Sequence, residues 1–137
     1  MRDLHFDDRW LSVSWNGEHR CIYALWKGFA KSDELRAGGE KILQAIRARH
    51  ADALVSDNRR LVGLTVADQD WFSETWTPKA VRAGLRRIAV VLPAQGFGRF
   101  DSEDVLGRIG SHDFVTHAFD SMSEAFDWVA SDTANAD

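Results

Sequence analysis

The chain has 137 residues, 45% of them apolar, and a formal net charge of −4. This is the size of one compact domain with enough apolar side chains for a core, and its acidic balance argues against a general nucleic-acid binder, which carries a concentrated basic surface. Met1-Arg2-Asp3-Leu4-His5 lacks the uninterrupted apolar stretch of a secretory leader, and no later run is long enough to cross a bilayer, so a soluble, cytoplasmic protein is expected.

The segment from Trp10 to Trp15 alternates apolar and polar side chains, which places Leu11, Val13 and Trp15 on one strand face and leaves Trp10 out of phase. Asn16-Gly17 follows, a pair that tolerates positive φ and signals a tight hairpin turn, with the return strand from His19 to Trp26. The lone Cys21 lies in that strand, has no internal disulfide partner, and reads as a small buried thiol. Ser32 or Asp33 is the expected cap of a helix on which Leu35, Ile42, Leu43 and Ile46 recur and which Arg47, Arg49 and His50 end. Gly38 and Gly39 lie inside it and each costs about 1 kcal/mol relative to Ala, so they require a packing reason. Close approach of the helix to a sheet is the expected one.

Ala53 to Asp57 is a short apolar strand, and Asn58 to Gly63 forms the loop at its carboxyl end, where open α/β sheets usually bind ligands. Thr65 and Asp68 have capping spacing for a helix carrying Trp71, Phe72, Thr75 and Trp76. Thr77-Pro78 is read as a restart with a bend, Thr77 capping and Pro78 at the first position, and Gly84 as the stop. Ile88 to Leu92 is apolar on both faces and predicts a central strand, so the helix between the two strands makes a parallel crossover. Gln95 to Phe100 is a second glycine-bearing loop, and a short helix is expected from Asp101 or Ser102 to near Gly110. Phe114 to Phe119 is the last strand, Ser121 and Glu124 cap a final helix, and the small polar residues after Ser131 suggest a frayed tail over 132–137.

The fold class expected is α/β: an N-terminal β-hairpin, then alternating helices and strands forming a mixed sheet with a mostly parallel core, in a single domain over residues 1–131. Several segments of this layout carry a family likeness: Trp26-Lys27-Gly28, Val55-Ser56-Asp57, Trp71 through Pro78, Arg87-Ile88-Ala89-Val90-Val91, and Ser123 through Val129. The chain resembles the STAS superfamily, specifically small bacterial proteins related to anti-sigma-factor antagonists. That resemblance implies a STAS-like fold and a non-enzymatic binding or regulatory role. In the phosphoswitch branch a hydroxyl residue follows the strand's Asp. Here Asn58 follows Asp57, and an amide cannot accept a phosphoryl group, so the resemblance extends to the fold and not to that switch.

No motif specifies a reaction. Asp57 at a strand end can act as a general base if a second polar group such as Arg59 or His117 converges on it; otherwise it caps its loop and pairs with Arg59 or Arg60. Asp68 and Asp70 read as helix-start acids, and Lys79, Arg82, Arg86 and Arg87 as charges complementing a helix end. The five histidines have no metal-ligand spacing, and Ser111-His112-Asp113 cannot fold into a hydrolase triad from adjacent positions. Neither a metal nor a cofactor is expected. Trp71, Phe72 and Trp76 offer more aromatic surface than one helix face usually needs, so either they all pack into the core or part of them forms a dimer interface or the wall of an apolar pocket. The leading expectation is a binding module acting on a protein partner or as a homodimer, with Asp57, Asn58, Arg59, Arg60, Trp71, Phe72 and Trp76 as the contact residues. The alternative is a carrier or sensor of a small apolar or amphipathic ligand held between helices and sheet, with Arg59 or Arg60 meeting an anionic head group.

Overall fold

The apolar strand segments pair in chain order. In the computed structural model, which describes residues 3–28, 30–109 and 114–131, six strands form one mixed sheet. β1 (Asp3–Asp7), β2 (Leu11–Asn16) and β3 (Cys21–Trp26) make an antiparallel meander. β4 (Ala53–Asp57), β5 (Arg87–Val91) and β6 (Val115–Phe119) then add in parallel, each beside its predecessor. The expected hairpin and parallel crossover are both present, and the fold class is α/β.

Parallel neighbours added always on the same side, each by a right-handed crossover, must place their connecting helices on one face. That face carries α1 (Ser32–Arg49), a continuous run of α2 (Val66–Trp71), a π-helical turn (Phe72–Trp76) and α3 (Thr77–Arg82), and finally α4 (Phe97–Ile109). α5 (Met122–Ala130) follows the last strand and packs on β4, β5 and β6. Strand alternation supplies the two cores. Val13, Ile22, Leu54, Ile88 and Val90 face the helical layer, whereas Cys21, Ala53, Val55, Ala89 and Val91 meet Ala125 and Val129 of α5. Burial raises the Cys21 thiol to a pKa of about 12, so it stays protonated and inert.

Several local readings need correction. The β2–β3 turn is a four-residue loop closed by the Asn16–Cys21 pair, because the Asn16 side chain accepts the His19 N–H at 2.9 Å and Arg20 takes the positive φ. β1 carries a short period-two alternation, Leu4 and Phe6 between polar residues, that the strand reading above left out; it pairs along the outer edge of β2. Neither Ser32 nor Asp33 caps α1. Lys31 is the cap residue, Glu34 accepts its N–H at 3.0 Å, and the Ser32 hydroxyl donates to Asp68 at 2.8 Å. Thr77 does not cap a restarted helix either, because α3 continues from the π turn without a break. It is helical, and its hydroxyl donates to the Phe72 carbonyl at 2.8 Å across a turn widened to the π form. Pro78 has no N–H to give Glu74, and the wider turn relieves the clash its ring would otherwise make there. Other caps agree with the reading: Thr65 accepts the Asp68 N–H, Ser121 accepts the Glu124 N–H, and Gly84 has positive φ after α3.

The glycines of α1 admit indole rings. A methyl at Gly38 would lie 2.8 Å from Trp10, Leu11 and Trp26, and one at Gly39 would lie 2.8 Å from Trp71 and 3.0 Å from Trp76. Gly38 therefore serves the predicted approach to the sheet, and Gly39 serves the neighbouring helix. Gly98 meets a harder obstacle, since a methyl there would overlap the backbone carbonyl of Leu61. This contact explains why α4 begins four residues before Asp101: Gly96, at φ 91, turns the chain, and Gly98 lets the first helical turn settle on the β4 loop. Asp101 then accepts the Leu64 N–H at 2.8 Å. The Gly98→Ala variant should lose about 1–3 kcal/mol in urea unfolding through overpacking. Gly107→Ala, where the added methyl meets open space, should gain about 0.5–1 kcal/mol through helix propensity. Equal effects at the two positions would disprove the Gly98 contact.

Candidate functional site

Side chains alternate across a strand, and this separates residues that are adjacent in sequence at the carboxyl end of β4. Asp57 is directed to the α5 face, while Ser56 and Asn58 face the helical layer. Two different polar clusters result.

Asp57 is fully buried. The Tyr23 hydroxyl donates to its Oδ2 at 2.6 Å, and the Arg59 guanidinium grips both oxygens, Nε to Oδ1 at 2.9 Å and Nη2 to Oδ2 at 2.8 Å. The Arg59 N–H adds a fourth donor at 3.2 Å. A carboxylate has about four acceptor positions, so its capacity is filled. Burial by itself pushes the Asp57 carboxyl up, but the bonds from Arg59 and Tyr23 outweigh it and hold the pKa below the usual range. Tyr23 moves upward, first through burial and then because its proton rests on Asp57. A carboxylate so saturated is a poor proton acceptor. His117 stands apart, its ring against Phe119 at 4.4 Å and Trp128 at 5.7 Å. Of the two partners considered for base chemistry, only Arg59 reaches Asp57, and it neutralises the charge.

Arg60 is exposed. Arg59 continues into a shallow surface groove with Leu92, Ala94, Arg99 and Asp120, where Arg99 donates to Asp120 at 2.7 Å and to the Pro93 carbonyl at 3.1 Å.

On the other face, the Ser56 hydroxyl donates to Asn58 Oδ1 at 2.7 Å, and Asn58 Nδ2 donates to the Ser102 hydroxyl at 3.1 Å. This polar chain borders a cavity of about 80 Å³ between β3, β4 and β5 and the helical layer. Its other walls include Trp26, Ile42, Leu54, Phe72, Trp76 and Leu106. Phe72 and Trp76 are thus pocket walls. The Trp76 indole N–H donates to the Gly39 carbonyl at 2.8 Å in the buried interior, and the Phe72 ring meets Trp76 at 5.9 Å. Trp71 lies outside the cavity, seated on Gly39 with the Arg36 guanidinium 5.7 Å from its ring centre. Of the seven residues expected to form the site, three therefore line the cavity (Asn58, Phe72, Trp76). Asp57 and Arg59 form the opposite cluster, and Arg60 and Trp71 belong to neither.

Ser102 and Tyr23 escaped the sequence reading, Ser102 because it registered only as a helix start and Tyr23 because nothing local ties it to Asp57. The remaining candidates resolve as structure. Asp68 is buried and held by Ser32 and Arg36; Arg86 donates to the Val81 and Leu85 carbonyls at the end of α3; and Arg87 stacks on Trp128 at 5.9 Å. Ser111, His112 and Asp113 fall outside the described residues, as does the segment 132–137. Among the described residues, no helix is long and apolar enough to cross a membrane. No family model matches the chain, and no curated protein or solved structure matches it at a significant level.

The Asp57 cluster has a pH signature. Its native pKa lies below the unfolded value of about 4, so its contribution is complete above that value and is lost as pH falls through the native pKa. Urea midpoints for Asp57→Asn should show about 1–3 kcal/mol less stability at neutral pH, converging on the wild type in acid. A constant gap at every pH would show that the carboxylate charge plays no part.

Proposed function

We propose that the chain is a non-enzymatic binding module of STAS-like architecture that works in the cytoplasm by contact with another protein chain, a partner or a second copy. The observation that carries this reading is three exposed apolar side chains on the segments that follow β4 and β5: Val62 at 62%, Val66 at 71% and Phe100 at 67% exposure. The segments that carry them are joined, because Gly98 rests on Leu61 and Asp101 accepts the Leu64 N–H, which locks the β4 loop to the start of α4. Scattered exposed apolar residues are ordinary, but three on joined segments that also expose the charged Arg60 and Glu103 have the composition of a contact surface.

Two further features support it. The saturated Asp57 favours a structural over a catalytic role, and the in-order parallel strands with their connecting helices on one face suit the proposed kinship. Asn58, 9% exposed and an amide, favours contact without a phosphoacceptor at this position. Trp71 to Trp76, the surface first suggested by the sequence, supports the contact face from within by fixing the helices behind it.

The test combines sedimentation with photocrosslinking in cells from benzoylphenylalanine placed at Val62, and at Glu18 in the distant β2–β3 turn as a control. A discrete crosslinked species from position 62 alone, weakened about tenfold or more by Phe100→Asp, is the expected result. A strict monomer with no species specific to position 62 would refute the proposal.

A further inference from the structure

We infer that the cavity between the sheet and the helical layer is a binding site for a small neutral amphiphile, one ring or a short branched chain bearing a single hydrogen-bonding group. This inference stands independently of the protein contact above. Size sets the class first. About 80 Å³ is several times the ~10–15 Å³ that admits one water, yet well below the ~300–1,000 Å³ of sites for drug-sized ligands. A nucleotide or a long acyl chain does not fit.

Charge sets it next. Among the described residues, the lining contains no Asp, Glu, Lys, Arg or His. An ionised group placed there would lose its hydration with no countercharge, whereas a neutral apolar body replaces nothing it needs. Arg59 and Arg60, first considered for an anionic head group, are both outside the walls.

The polar chain gives the site its direction. Ser56, Asn58 and Ser102 all border a space otherwise walled mainly by Trp, Phe, Leu, Ile and Val side chains. Asn58 uses one acceptor position on Ser56 and one N–H on Ser102. A carboxamide has two of each, so one donor and one acceptor remain for a ligand hydroxyl or carbonyl. The opposite wall is the π-helical turn, whose widened backbone sets Phe72, Trp76 and Thr77 along the cavity. Such turns are frequent where a helix contributes to a site.

Phenol, benzene and benzoate test the site directly, read by the indole N–H resonances of Trp26 and Trp76, both on its walls. Phenol should bind roughly three- to tenfold more tightly than benzene, the worth of one net hydrogen bond, and benzoate should not shift either indole. Asn58→Leu, which removes the carboxamide that offers the spare donor and acceptor, should erase the preference for phenol while keeping benzene binding. Val105→Phe, entering from a half-buried position on α4, should weaken both neutral probes about tenfold or more without lowering the melting temperature. Failure of phenol and benzene to shift either indole would overturn the site, as would binding unaffected by Val105→Phe. Equal affinity for phenol and benzene, or binding of benzoate, would overturn the assigned ligand class.

Discussion

Two adjacent glycines in α1 hold the helical layer together by admitting indoles from opposite directions. Trp10 and Trp26 come over Gly38 from the sheet, while Trp71 and Trp76 come against Gly39 from the α2–α3 run. Without Cβ atoms, the helix backbone itself becomes the contact surface, and Trp76 uses it by donating to the Gly39 carbonyl. Ring burial offsets the helix propensity lost at two glycines, since a buried aromatic contributes more apolar area than two methyls. The arrangement fixes how far α1 stands from the sheet and how the second helical run turns against it.

The π-helical turn and the cavity follow from that constraint. Pro78 requires relief from the α-helical hydrogen-bond pattern one turn earlier, and the relief falls at Phe72 to Trp76, the turn that must also deliver Trp76 to Gly39. The widened turn, α1 and α4 then surround a space over Leu54, Ile88 and Val90 that their side chains leave unfilled. Close packing elsewhere makes such a space exceptional. The polar chain on its edge comes from Ser56 and Asn58 at the end of β4 and from Ser102 of α4. The β4 loop thus borders the pocket at Asn58, Leu61 and Leu64 and is held to α4 by Gly98 and Asp101.

Much of this architecture was legible because the local signals were strong and agreed with one another. Unbroken apolar runs at Ala53 to Val55 and Ile88 to Leu92 identified buried parallel strands, and Thr65 and Ser121 marked helix starts with side-chain chemistry that the structure uses. The edge strand β1 was legible too, in the alternation of Leu4 and Phe6 with polar residues, but that signal spans only five residues with two apolar ones and is weak. The site was half legible. Asp57 and Asn58 were recognised as adjacent polar residues at a strand end, but the period of two that sends them to opposite faces was not applied, and this rule was available from the sequence alone. Tyr23 and Ser102 depend on tertiary approach across 34 and 44 residues of chain, which no local pattern encodes. The excess of tryptophan was visible, but its reason was not, because an indole seated on a glycine backbone looks from sequence like an indole in need of a partner.

The account rests on the placement of Trp76, which joins α1, the π turn and the cavity wall. Hydrogen–deuterium exchange of the indole N–H groups, resolved by nuclear magnetic resonance, tests it most directly. A Trp76 proton donated to a buried carbonyl should exchange only when the whole domain unfolds, in step with the most protected backbone amides of β4 and β5. Exchange of that proton at the rate of a freely solvated indole would contradict the claim and remove the basis for the packing of the helical layer.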